Sequence, residues 1–100
     1  MKLQLWRNAT LQLEIHDTTF LIDPMLGAKG SFGAFPWTDD SRANPLVDLP
    51  FSAEELNAKL GGIDAVFVSH LHPDHWDAAA VELLDKNTFI LCPATIAETI

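Results

Sequence analysis

Residues 2–15 are organised by alternation. In 2–7 (KLQLWR) and 10–15 (TLQLEI) apolar and polar side chains exchange at nearly every position, the period of a strand with one buried face. Asn8-Ala9 separates the two runs and predicts a hairpin whose inner face carries Leu3, Leu5, Leu11, Leu13 and Ile15. His16-Asp17-Thr18 breaks the pattern again, and TFLID (19–23) reads as a third short strand stopped by Pro24. The chain is expected to open as a β-meander.

The alternation then disappears. Residues 27–50 are rich in Gly, Pro, Asp and Ser with no helical or strand period, which predicts a loop longer than ordinary connections. Ser52 and Glu55 form a capping-box pattern ahead of Leu56 and Leu60, so a short helix is expected, ended by Gly61-Gly62. Residues 63–68 (IDAVFV) are mostly apolar and predict a strand buried on both faces. Asp77 is placed to cap a helix over AAAVELLDK (78–86), TFILC (88–92) reads as another buried strand, and Pro93 onward as the start of a further helix. The order is a meander followed by βαβα, an α/β arrangement.

Composition narrows the classes of function. The 100 residues are 48% hydrophobic and 20% charged, which suits one small globular domain. No apolar run approaches the roughly 18 residues of a membrane span, and MKLQLWRN lacks a signal-peptide block, so a soluble, cytoplasmic protein without a membrane partner is expected. A formal charge of −8 with six scattered basic residues disfavours nucleic acid as a partner. Cys92, alone in an apolar run, is expected to be a small buried hydrophobe.

The concentrated chemistry lies in SHLHPDH (69–75), where His70, His72, Asp74 and His75 follow the apolar strand directly. Imidazole and carboxylate are ligands for zinc and similar ions. At a strand end, residues two apart point to one side, so His70 and His72 can face one ion. Pro73 bends the chain, which lets Asp74 and His75 turn toward a second position. Two such ions would hold a bridging water and lower its pKa to about 7, making hydroxide available as nucleophile at neutral pH. Asp74 would be both ligand and orienter of that water.

These residues resemble the H-x-H-x-D-H signature of the metallo-β-lactamase-fold hydrolases. Asn8-Ala9-Thr10-Leu11, Leu21-Ile22-Asp23-Pro24 and His75-Trp76-Asp77 resemble the branch that includes ascorbate-6-phosphate-lactonase-like proteins. The resemblance implies a four-layer αβ/βα sandwich with two divalent metal ions at its edge, Zn²⁺ foremost and Mn²⁺ or Fe²⁺ as alternatives. His70 and His72 match ligands of one ion, and Asp74 and His75 match ligands of the other. Members hydrolyse lactones, thioesters, amides, phosphodiesters and RNA, so the fold does not choose a substrate.

The same family draws further histidines and a bridging Asp from later in the chain. After His75 this sequence has no histidine, and Asp85 lies too close to match the bridging position. The expectation is therefore a single partial domain over 1–100, the N-terminal half of the sandwich. Its apolar sheet face would be covered by the remainder of a longer chain or by a partner subunit, as in a homo-oligomer. The expected function is a metal-dependent hydrolase of a small ester, lactone or phosphorylated substrate. The alternatives are a phosphodiesterase or nuclease using the same ions, and a non-catalytic metal-binding or assembly module.

His16 is expected to be an exposed turn residue. Asp23 has two balanced readings, a strand-ending residue before Pro24 or a carboxylate that orients a ligand histidine. Asp77 reads as a cap before a ligand, and Trp76 as packing. For Phe32, Phe35, Trp37 and Arg42, loop packing ranks ahead of a pocket in which Arg42 holds a substrate carboxylate or phosphate.

Overall fold

The structure, a computed structural model, describes residues 1–31, 33 and 42–100. Five strands form one sheet in chain order: β1 (Lys2–Arg7), β2 (Thr10–Ile15), β3 (Thr18–Ile22), β4 (Ala65–Phe67) and β5 (Phe89–Leu91). The first three are antiparallel, as the alternation predicts, whereas β3–β4 and β4–β5 pair in parallel. Parallel neighbours need crossovers, and α1 (Ala53–Gly61) and α2 (Ala78–Leu83) lie in the two connections.

Local chemistry sets these elements. Arg7 pairs with Thr10, leaving Asn8-Ala9 as the tight loop, with Asn8 at φ 50°, a left-handed conformation that Asn tolerates. At α1 the Ser52 hydroxyl accepts from the Glu55 N–H and the Ser52 N–H donates to the Glu55 carboxylate, each at 3.1 Å. The Gly62 N–H closes the other end on Leu60 and Lys59 carbonyls. Helix α2 stops at Leu83, short of the expected 86, because the Asp85 carboxylate captures the Asn87 N–H at 2.8 Å and its carbonyl takes the Thr88 N–H at 3.0 Å. The helix expected from Pro93 is a 3-10 turn at Ala94–Ile96.

Packing leaves the expected inner face of the hairpin uncovered, the open apolar sheet face expected of one layer of a sandwich. Register aligns Leu5, Leu11, Ile22, Phe67 and Leu91 on one side of the sheet, and Gln12, Leu21, Val66 and Ile90 on the other. The buried cluster of Trp6, Leu21, Leu26, Leu56, Val66, Val68 and Ala80 includes residues of both helices and lies on the second side. The first side is open: Leu3 is 64% exposed, Leu5 61%, Phe67 42% and Phe89 63%, and Ile15 is also exposed. Leu11 and Leu13 are half-buried. The alternation predicts two faces, and the apolar one is the face without helices. β4 and β5 are likewise covered on one face only. Cys92 is half-buried against the core cluster. Among the described residues no helix is long and apolar enough to cross a membrane.

Candidate metal centre

Strand β4 ends at Phe67, and one more bond, from the Val68 N–H to the Leu91 carbonyl at 2.9 Å, carries the chain to Ser69. The His72 carbonyl then accepts from the N–H groups of His75 at 2.9 Å and Trp76 at 3.1 Å, closing a turn over Pro73 and Asp74. This turn folds Asp74 and His75 back over His70. One ligand atom from each of His70, Asp74 and His75 lies within 4.8 Å of the others. The His70 and His75 rings are 3.9 Å apart, and His72 stands edge-on to His70 at 4.8 Å. His72 is exposed and lies outside the group of three. The two neighbouring pairs expected from spacing are thus drawn as one cluster with His72 beside it.

Behind the cluster sits Asp23, 5% exposed. Its backbone is left-handed at φ 47° and is held on both sides. The Asp23 N–H donates to the Phe67 carbonyl at 2.8 Å, and its carbonyl accepts from the Thr10 hydroxyl at 2.8 Å. Thr10, fully buried, accepts in turn from the Met25 N–H at 2.9 Å. So fixed, the Asp23 carboxylate meets the Ser69 N–H at 2.6 Å, the Ser69 hydroxyl at 2.7 Å and His75 Nδ1 at 2.8 Å. Of its two readings from sequence, contact with a candidate ligand histidine is the one in the fold.

The donor set suits a cation. With Nδ1–H directed at Asp23, His75 turns Nε2 toward Asp74 Oδ2 at 3.5 Å. In the neutral ring both atoms are electron-pair donors, and a cation between them would satisfy both. Ligand–metal bonds of ~2.1 Å at tetrahedral angles would separate donor atoms by roughly 3.4 Å, close to this spacing. Asp74 Oδ1 is buried without a hydrogen-bond partner among the described residues. A buried carboxylate oxygen left unpaired carries a desolvation cost that a cation removes.

A second carboxylate frames the site. Asp77 caps α2 through the Ala80 N–H at 2.9 Å and also accepts from the N–H groups of Leu26 at 3.0 Å and Gly27 at 2.8 Å. It therefore ties the segment after Asp23 to the segment after the histidine turn. Arg7 lies beside it, 4% exposed, donating to the carbonyls of Val47 at 3.1 Å and of Met25 and Gly27 at 2.7 Å. Burial pushes the Arg7 guanidinium below its ordinary pKa, and the charges of Asp77 and Asp48 oppose that shift. Reading the sequence missed the roles of Arg7, Thr10 and Ser69. A charged residue closing an alternating strand gives no sign of being buried, and the two hydroxyl residues have no periodic signature.

His16 is exposed in its turn, and Trp76 packs against the core cluster. Arg42 is exposed beside a surface hollow shared with Lys29 and Leu46. Phe32, Phe35 and Trp37 lie outside the described residues.

No protein-family model matches the chain. A curated relative, the UPF0173 protein YddR of Bacillus subtilis (strain 168), is 48% identical over 82 residues, covering 81% of this chain and 31% of the relative. Among solved structures, an isothiocyanate hydrolase from Delia radicum gut bacteria superposes with a TM-score of 0.85 at 39% identity, over 99% of this chain and 37% of that one. A possible metal-dependent hydrolase from Veillonella parvula DSM 2008 superposes with a TM-score of 0.83 at 39% identity, over 93% of this chain and 35% of that one. The chain thus spans about a third of the proteins it matches. Its five-stranded α/β unit superposes on part of these hydrolase structures, consistent with a half-domain, and the similarities together support a metallo-β-lactamase-like family of metal-dependent hydrolases.

Proposed function

We propose that the protein carrying these residues is a metal-dependent hydrolase of small electrophilic substrates. His70, His72, Asp74 and His75 are its metal ligands from this half of the domain. The observation that carries the reading is the grouping of Asp74 with His70 and His75 just past β4, together with an Asp74 Oδ1 that is buried without a hydrogen-bond partner among the described residues. Divalent ions held there supply Lewis acidity and lower the pKa of water to about 7. The chain's own part is to hold donor atoms in place: Asp23 orients His75, and the turn closed by the His72 carbonyl presents Asp74. In this reading Asp74 also orients the attacking water.

The choice of substrate rests on charge and likeness. A net charge of −8 without a basic cluster works against nucleic acid or another polyanion. The isothiocyanate hydrolase among the similar structures supports attack at an electrophilic carbon. Small esters, lactones and isothiocyanates are therefore the substrate class, with phosphodiesters second.

The test uses the full-length protein as its source cells make it. Purified protein is expected to contain divalent metal and to hydrolyse members of a lactone, ester and isothiocyanate panel faster than bis-p-nitrophenyl phosphate. His72→Ala should abolish turnover and lower metal content. Turnover retained in that variant would defeat the ligand assignment, and metal bound with no turnover on any of these compounds would favour the non-catalytic binding module.

A further inference from the structure

Ser69 has no assigned part in a metal centre, yet it stands between the buried Asp23 and His70. Its hydroxyl lies 2.7 Å from Asp23 Oδ2 and 2.9 Å from His70 Nδ1. A serine hydroxyl has a single proton to donate, while a carboxylate only accepts. The proton must therefore point at Asp23, and the oxygen can serve His70 only as an acceptor. His70 then carries its hydrogen on Nδ1, leaving the lone pair on Nε2. His75 has the same tautomer, because its Nδ1 meets the same carboxylate oxygen directly at 2.8 Å.

We propose that Ser69 is a positioning residue that relays the Asp23 carboxylate to His70, so that one buried side chain sets the tautomer of two candidate metal ligands. The geometry is cross-braced. The Ser69 N–H donates to Asp23 Oδ1 at 2.6 Å, which fixes the serine backbone relative to the carboxylate its side chain contacts. Asp23 is in turn locked through Thr10 and the Phe67 carbonyl, so the orientation of both imidazoles is referred back to the meander. Which ring nitrogen is free to ligate is set by the bond the other nitrogen makes. Loss of such an outer contact commonly lowers metal affinity 10–100-fold.

The inference rests on the proposed metal site for its purpose, but its test does not need turnover. Full-length protein labelled with ¹⁵N-histidine and freed of metal would be examined by long-range ¹H–¹⁵N correlation, which distinguishes the two neutral tautomers. Zn²⁺ affinity would be measured in parallel by competition with a chromophoric chelator.

His70 and His75 should both be Nδ1–H tautomers. In Ser69→Ala, His70 should become a mixture while His75 keeps its tautomer, and Zn²⁺ affinity should fall about 10-fold or more. Ser69→Thr, which keeps the hydroxyl, should restore both. An Nε2–H tautomer at His70 in the unsubstituted protein overturns the relay. So does an unchanged His70 in Ser69→Ala, or a folded Ser69→Thr protein that behaves like the alanine variant. Expected tautomers in a protein with no affinity for Zn²⁺, Mn²⁺ or Fe²⁺ would uphold the relay and remove the hydrolase reading.

Discussion

Asp77→Ala should destabilise the fold far more than the loss of a helix cap. Removing the cap bond to the Ala80 N–H alone costs about 1 kcal/mol. The substitution also strands the N–H groups of Leu26 and Gly27, and a buried donor left unpaired costs about 1–3 kcal/mol. Leu26 is 5% exposed, so its N–H falls at about the middle of that range; Gly27 is more open and falls near about 1 kcal/mol. The expected loss is about 4 kcal/mol, a large part of the ~5–15 kcal/mol that stabilises an ordinary domain. Asp77→Ser separates the contributions, because a serine retains the cap but is too short to span both loop donors; it should recover only about 1 kcal/mol. Urea unfolding of the full-length protein, followed by far-ultraviolet circular dichroism, reads both variants. If Ala costs only about 1 kcal/mol and Ser restores it fully, Asp77 is a cap and nothing more, and the clamp between the two segments is refuted.

Arg7→Lys keeps the charge but not the planar fork that reaches the carbonyls of Val47, Met25 and Gly27, so a loss of about 2–4 kcal/mol is expected in the same unfolding experiment; a loss under about 0.5 kcal/mol would show that those contacts contribute little. Phe89→Lys, at a position 63% exposed on the open sheet face, should leave the secondary structure of the 100-residue chain unchanged and reduce its self-association in light scattering; unchanged association would show that this face is not adhesive.

Much of this architecture is written in local pattern. Alternation over 2–15 determines two strands and their turn, the Ser52–Glu55 pair determines where α1 starts, and Asp77 does so for α2. These depend on interactions within a few residues, which a sequence displays directly. The ligand types at 70, 72, 74 and 75 are legible for the same reason, since all four fall within one turn of chain.

What alternation cannot say is which face of a sheet the helices will cover. Leu3 and Leu5 satisfy the pattern of an inner face and remain exposed, because α1 and α2 both pack on the side of Leu21 and Val66. Nor does spacing disclose the outer contacts of the candidate centre. Asp23 and Ser69 are 46 residues apart, and Asp23 and His75 are 52 apart; they meet only because β3 and β4 pair in parallel, so that their carboxyl ends lie at the same end of the sheet. The sequence by itself determined the candidate ligands and most of the elements that carry them. Tertiary structure alone decided their orientation, because a hydrogen bond between distant segments exists only once strand register has brought its donor and acceptor together.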